Sequence, residues 1–266
     1  MHIETEPAFG ILPSRRGAPL FDEEDDAPMQ TLILCGGKGT RAYPHSLEVP
    51  KPLMTVGDVP ILHHLLDIYA RQGHHDFVLA AGYLVDMVRV FADEAPSPWH
   101  VTVVDTGEDT GTGGRIARCG DILGPRFLVT YGDGLGNVDM TSLLAFHDAH
   151  GGAVTVTAVP LPSPYGTLQW DDAGRVECFV EKPRLDDHWI NAGFFVFEKR
   201  ALEEWRGHNL ETDVLPDFAR RGKLFVNRHK GFFKSMDTSK DQAELEKLCQ
   251  GGTVPWVMPG AAVVAS

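Results

Sequence analysis

A glycine-rich segment between an apolar run and a pair of prolines has the residue types that bind phosphate. Residues 34–41 read Leu-Cys-Gly-Gly-Lys-Gly-Thr-Arg, and Pro50-Lys51-Pro52 follows. Glycines let backbone N–H groups approach an anion closely, while Arg41 and Lys51 supply fixed positive charge. A plain surface loop could carry the glycines alone, but the two flanking cations favour a ligand with several phosphates.

The segment matches neither of two common phosphate-binding motifs. The pattern G-x-x-x-x-G-K-[ST] occurs nowhere in the chain. A dinucleotide motif needs a helix that begins on its glycines. Here Gly39 is followed by Thr40, Arg41 and a long loop to Pro52, so no helix is predicted there. A phosphate-binding loop of another type is the remaining interpretation.

Two aspartates far apart in sequence are candidate metal ligands. Asp133 lies in Tyr-Gly-Asp-Gly after a predicted buried strand, and Asp237 lies in Ser-Met-Asp-Thr before a predicted helix. Mg²⁺ prefers hard oxygen ligands, commonly one or two carboxylates completed by substrate phosphates. Taken singly, each aspartate could instead be a turn residue or a helix cap. The Mg²⁺ hypothesis requires both carboxylates to converge beside the phosphate loop.

Strand and helix patterns alternate along the first half of the chain. Predicted strands cover residues 30–35, 76–81, 100–104 and 127–131, and predicted helices cover 60–70, 85–91, 115–123 and 140–150. On the last helix, Leu143, Leu144 and Phe146 are expected to face inward. This alternation predicts an α/β fold with a doubly wound, mostly parallel, Rossmann-like sheet. Its ligands should bind at the carboxyl ends of the strands.

The second half has shorter strands, predicted at residues 154–158, 165–170, 175–180 and 194–197, and helices near 212–220 and 240–249. This half is expected to form a smaller β-rich portion packed on the same sheet. Residues 1–28 contain four prolines and an acidic cluster at 22–26. That composition is typical of a flexible extension, so the predicted domain covers residues 29–266.

These motifs together resemble those of the sugar-1-phosphate nucleotidyltransferases. The family pattern G-G-x-G-T-R…P-K-P is matched by residues 36–52. Further matches follow in family order: Val104-Asp-Thr-Gly107, Thr112-Gly-Gly-Arg115, Thr130-Tyr-Gly-Asp-Gly134, Val180-Glu-Lys-Pro183, Asn191-Ala-Gly-Phe-Phe195 and Met236-Asp-Thr238. The Asp-Thr-Gly, Thr-Gly-Gly-Arg and Thr-Tyr-Gly-Asp-Gly segments are most similar to the glucose-1-phosphate cytidylyltransferase branch. The resemblance implies the GT-A-like fold of this family, with the β-rich portion on the sugar side.

The resemblance also implies roles for individual residues. Lys51, Arg41 and Asp133 would be catalytic, and Asp133 and Asp237 would hold Mg²⁺. The nucleotide would contact Cys35, Gly36, Gly37, Gly39, Thr40, Arg41, Lys51, Gly82, Thr106, Gly107, Gly114, Arg115 and Gly132. The sugar phosphate would contact Gly134, Tyr165, Gly166, Glu181, Lys182 and Asn191.

The implied reaction transfers a nucleoside monophosphate from a nucleoside triphosphate to a sugar 1-phosphate and releases pyrophosphate. CTP and glucose 1-phosphate are the favoured substrates. Guanylyl, uridylyl or thymidylyl transfer to another or larger sugar 1-phosphate, such as a heptose or octose 1-phosphate, remains open. A non-catalytic nucleotide or sugar-phosphate sensor is a further alternative. A glycosyltransferase is disfavoured because no Asp-x-Asp motif occurs in the chain.

Composition limits the partners. A formal net charge of −13 argues against a nucleic-acid partner, which would require a dominant basic surface. The four cysteines show no C-x-x-C or other metal-ligand spacing, as expected of free thiols in a reducing cytosol. No apolar run approaches the length of a membrane span, and no signal-peptide pattern begins the chain. We therefore expect a cytoplasmic protein without a membrane partner, and the resemblance implies a homo-oligomer.

Overall fold

A computed structural model describes residues 28–39, 47–251 and 254–258 of the chain. Its elements in chain order are β1 (Thr31–Leu34), β2 (Thr55–Val56), β3 (Val59–Pro60), α1 (Ile61–Ala70), β4 (Asp76–Ala81), α2 (Val85–Asp93), β5 (His100–Asp105), α3 (Thr112–Arg118), β6 (Arg126–Tyr131), β7 (Gly134–Gly136) and α4 (Met140–His150). The second half continues with β8 (Val154–Pro162), β9 (Thr167–Trp170), β10 (Val176–Val180), β11 (Arg184–Glu198), α5 (Arg200–Glu203), α6 (Leu215–Arg220), β12 (Leu224–Arg228), β13 (Phe233–Ser235) and α7 (Ser239–Gln250). Short 3₁₀ turns lie at Lys51–Leu53 and Gly120–Ile122, and a π-helical turn lies at Leu210–Val214.

The centre of the fold is a seven-stranded sheet in the order β12-β8-β11-β6-β1-β4-β5. The pairs β1–β4, β1–β6, β4–β5 and β8–β12 are parallel, whereas β11 is antiparallel to both β6 and β8. The predicted α/β fold with a mostly parallel sheet is thus confirmed. Small two-stranded ladders, β9–β10, β7–β13 and β2–β3, complete the structure.

Both faces of the sheet are covered, which explains why its strands are almost continuously apolar. Successive side chains of a strand point to opposite faces. Ile33 therefore lies in a core with helix α1, while Leu32 lies in the opposite core with Phe127. Strand β11 contributes Phe194 to the first core and Phe195 to the second.

Two helix predictions were wrong in detail. Helix α3 begins at Thr112 and ends at Arg118, earlier than predicted at both ends, with a 3₁₀ turn after it. Gly113 and Gly114 lie inside this helix because their lack of side chains lets it pack closely on the backbone of the segment from His208 to Leu210.

The inner face of α4 also differs from the expectation. Leu143 is buried and Leu144 is partly buried, but Phe146 is 36% exposed. The inner face instead includes His147, which is buried and hydrogen bonds to Thr155 Oγ1 and Glu198 Oε1. The buried face of α4 thus includes a polar residue, which a pattern based on apolar residues alone does not reveal.

Candidate active site

A cavity of about 820 Å³ opens at the carboxyl ends of β1 and β6. Residues 34–39 line one side, and Tyr131 to Gly134 line the floor. Asn191 of β11 contributes to another wall, as does Asp237 before α7. This is the edge where ligands of parallel α/β sheets are expected to bind.

The two predicted metal ligands converge in this cavity. Lys51 Nζ lies 2.5 Å from Asp133 Oδ2 and 3.0 Å from Asp237 Oδ1. The lysine is only 6% exposed, and its 3₁₀ turn is preceded by Pro50, which stiffens the approach. Two carboxylate oxygens therefore already face one point that accommodates a cation.

The β7–β13 ladder explains how residues so far apart in sequence come together. Gly134 pairs with Ser235 in antiparallel register, and the Met236 N–H donates to Asp133 O at 2.9 Å. Asp133 immediately precedes one strand and Asp237 follows the other, so the ladder brings the two aspartates side by side. Asp237 is not a helix cap, because Thr238 caps α7 in a capping box with Asp241.

These residues fit a divalent metal ion. Two carboxylates offer the hard oxygen ligands that Mg²⁺ prefers, and the Lys51 ammonium shows that the point between them holds positive charge. Among the residues the structure describes, no three His, Cys, Asp or Glu side chains form a metal cluster. Substrate phosphates and water are the usual further ligands of an Mg²⁺ ion held by two carboxylates.

Arg115 was expected to contact the nucleotide, but in the structure its guanidinium hydrogen bonds to the protein. Its guanidinium is 3% exposed and donates to four carbonyl oxygens, those of Gly36, Ala81, Gly107 and Glu108, and to Thr106 Oγ1. Burial is the main cause that lowers the pKa of this guanidinium. Because the hydrogen bonds go to the protein, Arg115 holds the glycine loop against the loop that follows β5.

Several other predicted nucleotide contacts lie in the layer beneath the loop. Thr106 is fully buried and donates to Ala81 O at 2.6 Å. A Cβ at Gly82 would lie 2.5 Å from Gly107 O, so Gly82 allows two backbone segments to meet. Gly114 N–H donates to His208 O on the side of α3. Four predicted nucleotide contacts are absent from the cavity lining: Gly82, Thr106, Gly107 and Gly114.

The remaining predicted residues divide into three groups. The cavity lining includes the predicted nucleotide positions Cys35, Gly36, Gly37, Gly39, Lys51, Arg115 and Gly132, and the predicted sugar positions Gly134 and Asn191. The predicted sugar positions Tyr165, Gly166, Glu181 and Lys182 flank the β9–β10 hairpin and are not part of that lining. Thr40 and Arg41 lie outside the described residues.

Gly166 has a packing role that the sequence did not indicate. A side chain there would meet the Phe179 ring and Glu181 Oε2, so the glycine lets the two arms of the hairpin approach each other. Tyr165 is 77% exposed, and Lys182 adopts a left-handed φ of 47°. These observations leave the sugar-binding roles of the hairpin as predictions.

Two cavity residues were missed by the sequence analysis. Tyr131 donates a hydrogen bond to Glu211 Oε1 at 2.6 Å, and Tyr131 Oη accepts one from Asn191 Nδ2 at 3.1 Å. Glu211 also accepts from Thr112 Oγ1 at 2.7 Å. Tyr131 could have been found from its position beside Asp133 in Tyr-Gly-Asp-Gly, but nothing in the local pattern distinguishes Glu211 from other surface glutamates.

Comparison with known proteins agrees with this architecture. A profile of the Nucleotidyl transferase family matches residues 30–238. The glucose-1-phosphate cytidylyltransferase of Salmonella typhi is 35% identical over 254 residues, which cover 86% of this chain and 98% of that protein. The chain belongs to the nucleotidyl transferase family. It is a sugar-1-phosphate nucleotidyltransferase, an enzyme whose family substrates are a nucleoside triphosphate and a sugar 1-phosphate.

Other relatives show how widely this nucleotidyltransferase fold is used. The mannose-1-phosphate guanylyltransferase catalytic subunit beta of Danio rerio is 32% identical over 224 residues, covering 80% of this chain and 62% of that protein. The crystal structure of HddC from Yersinia pseudotuberculosis superposes with a TM-score of 0.67 at 24% identity, covering 85% of this chain and 100% of that chain. In the described ranges, no helix is long and apolar enough to cross a membrane.

Proposed function

We propose that this nucleotidyltransferase transfers the cytidylyl group of CTP to glucose 1-phosphate, forming a CDP-sugar and pyrophosphate. The observation that carries the proposal is the pair of aspartates sharing Lys51 beside the glycine loop. The choice of CTP and glucose is supported by the similarity to the Salmonella typhi enzyme over nearly its whole length. The cavity of about 820 Å³ is within the size range of pockets that take small-molecule substrates.

The reaction needs little proton transfer. An oxygen of the sugar 1-phosphate is already ionised at neutral pH and attacks the α-phosphorus of the triphosphate in line, so no general base is required. Catalysis then depends on holding two anions together and neutralising the charge that forms. A bound Mg²⁺ would supply Lewis-acid charge to the α-phosphate.

The residues of this chain have distinct parts in that process. The glycine loop offers backbone N–H groups to the phosphates, and Arg115 fixes the loop from beneath. Asp133 and Asp237 would hold the metal ion, and Lys51, which lies between them, would contact the α-phosphate. The roles given to Thr40, Arg41, Glu181 and Lys182 stay predictions from the family resemblance, as do the contacts assigned to Tyr165 and Gly166.

Guanylyl transfer to mannose 1-phosphate is the second candidate. Its support is the 32% identity to the Danio rerio subunit over 80% of this chain. A crossed panel of CTP, GTP, UTP and dTTP with glucose 1-phosphate, mannose 1-phosphate and a heptose 1-phosphate, scored by pyrophosphate release, separates the candidates. We expect CTP with glucose 1-phosphate to give the highest kcat/KM. A higher value for GTP with mannose 1-phosphate would replace the first candidate by the second.

Asp133→Asn tests the metal proposal within the same assay. The amide is similar in shape but lacks the charge that binds Mg²⁺, so turnover should fall at least a hundredfold, the scale of one preorganised electrostatic group. Near-normal turnover by this variant would remove Asp133 from the metal site. Pyrophosphate release should also depend on the concentration of free Mg²⁺.

We further propose that residues 29–266 form one catalytic domain after an N-terminal extension, and that the enzyme acts in the cytoplasm as a homo-oligomer without a nucleic-acid or membrane partner. The family resemblance supports the assembly, and the net charge of −13 supports the absence of nucleic acid. Light scattering coupled to size-exclusion chromatography tests the assembly. A single species of about 29 kDa, the mass of one chain, would contradict it.

A further inference from the structure

Among the carboxylates that line the cavity, Glu211 has a different environment from the others. Asp133 and Asp237 share the Lys51 ammonium. Glu108 and Asp109 share Lys38, whose Nζ lies 2.8 Å from Glu108 Oε1 and 3.3 Å from Asp109 Oδ1.

Glu211 contacts hydroxyl groups instead of a cation. Tyr131 Oη donates to Oε1 at 2.6 Å and Thr112 Oγ1 donates to Oε2 at 2.7 Å. Across residues 28–39, 47–251 and 254–258, no lysine or arginine pairs with it. The negatively charged carboxylate of Glu211 is therefore available to accept a hydrogen bond from a ligand.

The backbone around Glu211 is held in place. Asp213 Oδ2 accepts from the N–H groups of His208 and Asn209, both at 2.9 Å. Leu210, in the same π-helical turn as Glu211, is fully buried. Helix α3 packs closely on this segment because Gly113 lacks a side chain. The carboxylate is thus carried by a fixed turn.

The hydrogen-bond directions around Glu211 are also determined. Tyr131 Oη accepts from Asn191 Nδ2 at 3.1 Å, and its own hydrogen is donated to the carboxylate of Glu211. Thr112 Oγ1 accepts the N–H of Leu210 at 2.9 Å, which leaves its own hydrogen for Glu211. A carboxylate has about four acceptor positions. Two are used, and two remain for a donor in the cavity.

The chemistry of that donor follows from charge. A phosphate group would be repelled by an uncompensated carboxylate, so Glu211 must meet a neutral part of a substrate that has a hydrogen to donate. The hydroxyls of a sugar ring or of the ribose have this chemistry. Asn191, which the family resemblance assigns to the sugar site, is connected to Glu211 through one hydroxyl: Asn191 Nδ2 donates to Tyr131 Oη, which donates to Glu211.

We propose that Glu211 is a specificity-determining residue that accepts a hydrogen bond from one hydroxyl of the sugar 1-phosphate. The proposal rests on the nucleotidyltransferase function proposed above and names a residue of its sugar site. A charged acceptor makes such a bond stronger than a neutral one, and a site built for it rejects an analogue that lacks the hydroxyl.

The test compares glucose 1-phosphates that each lack one hydroxyl, at C2, C3, C4 or C6, using wild type and Glu211→Gln with saturating CTP. In wild type, loss of the hydroxyl that contacts Glu211 should lower kcat/KM about tenfold to a hundredfold. In Glu211→Gln the penalty at that one position should shrink to about threefold or less, while the penalties at the other positions stay as in wild type. A merely structural role would instead change all positions alike.

Two variants complete the design. Glu108→Gln is the matched control, because it neutralises a carboxylate of the same cavity that already pairs with Lys38. It should keep all four penalties. Glu211→Asp retains the charge but draws it back by one methylene group, so it provides a second folded variant that should also lose the discrimination.

Each outcome is decisive. Unchanged penalties in both Glu211 variants would overturn the proposal. The proposal would also fail if the Glu211 variants lost the discrimination of wild type against 2′-deoxy-CTP or 3′-deoxy-CTP, because the hydroxyl that contacts Glu211 would then belong to the ribose. If wild type releases no pyrophosphate from any substrate pair, the proposed function fails first, and that result is distinct from an active wild type whose Glu211 variants discriminate normally.

Discussion

Replacing Lys51 with methionine should tighten the binding of a divalent cation even though it abolishes turnover. In the structure the lysine occupies the point between Asp133 Oδ2 and Asp237 Oδ1, at 2.5 Å and 3.0 Å. A metal ion bound at this point would take the place of the ammonium. Methionine is similar in length but carries no charge, so the attraction that Lys51 exerts on both carboxylates would be lost.

The size of the effect follows from the geometry. The two carboxylate oxygens can be no farther apart than the sum of their distances to Lys51 Nζ, about 5.5 Å. At that separation and an effective dielectric constant of about 20, two unit charges repel by about 3 kcal/mol. Their side chains are 24% and 30% exposed, so solvent screens part of this. Relief of the repulsion should strengthen metal binding by about tenfold to a hundredfold.

The assay is a titration with Mn²⁺, in which electron paramagnetic resonance reports the free ion, so catalysis is not needed. Lys38→Met is the control, because that lysine lies in the same cavity but pairs with Glu108 and Asp109. Its Mn²⁺ affinity should change much less. The melting temperature of Lys51→Met should also rise more steeply with added Mg²⁺ than that of wild type. Equal or weaker Mn²⁺ binding in Lys51→Met would refute the exchange of lysine for metal.

Three further predictions address the glycine loop and its surroundings. In Arg115→Lys an ammonium with three hydrogens can serve at most three of the five acceptors, so calorimetry should show that the free energy of unfolding falls by about 2–3 kcal/mol. The KM for nucleotide should rise more than the KM for sugar phosphate, and equal changes in the two would contradict a loop-positioning role. Gly36→Ala would place its Cβ against the Arg115 guanidinium and should lose nucleotide affinity in calorimetric titration, whereas Gly37→Ala, with nothing within 4 Å, should fold like wild type. Burial raises the pKa of Cys35 to about 12, so its thiolate stays scarce until the pH approaches that value; at pH 8 a maleimide should label exposed Cys178 first, and equal rates by mass spectrometry would count against this.

Much of the fold could be predicted because six of the seven strands of the sheet carry a local pattern, whereas β12 was not predicted. Strand β4 and helix α4 have the predicted bounds, β5 and β6 differ from prediction by one residue at one end, and β1 is one residue shorter than predicted at each end. These elements are continuous apolar runs or amphipathic helices bounded by glycine or proline. Their sequence reports their own burial directly.

The side chains that organise the cavity were harder to predict because their partners lie far along the chain. Arg115 resembles a phosphate-binding cation in sequence, yet its hydrogen bonds connect backbone groups from three separate segments, after β1, at the end of β4 and after β5. Whether an arginine near a glycine loop contacts a ligand or the protein depends on its burial, and burial is set by tertiary packing. The same holds for Glu211, whose partners Tyr131 and Thr112 come from a strand and a helix remote in sequence.

The convergence of the two aspartates depends on the short β7–β13 ladder, which the rest of the fold stabilises. Strand β13 has three residues, too few to show an alternating pattern, and a two-stranded ladder of this length is not stable alone. It holds because Gly134 and Gly136 let the chain around Phe233 pack closely on β7. The sequence motifs therefore identify both acids, but their spacing is set by packing at Gly134, which belongs to the motif of Asp133, and at Gly136, which belongs to no motif. A Gly136→Ala change would place a Cβ 3.2 Å from Phe232 O and 3.3 Å from the Phe194 ring, so it should shift the β7–β13 ladder and weaken Mn²⁺ binding in the same titration, although Gly136 contacts no ligand.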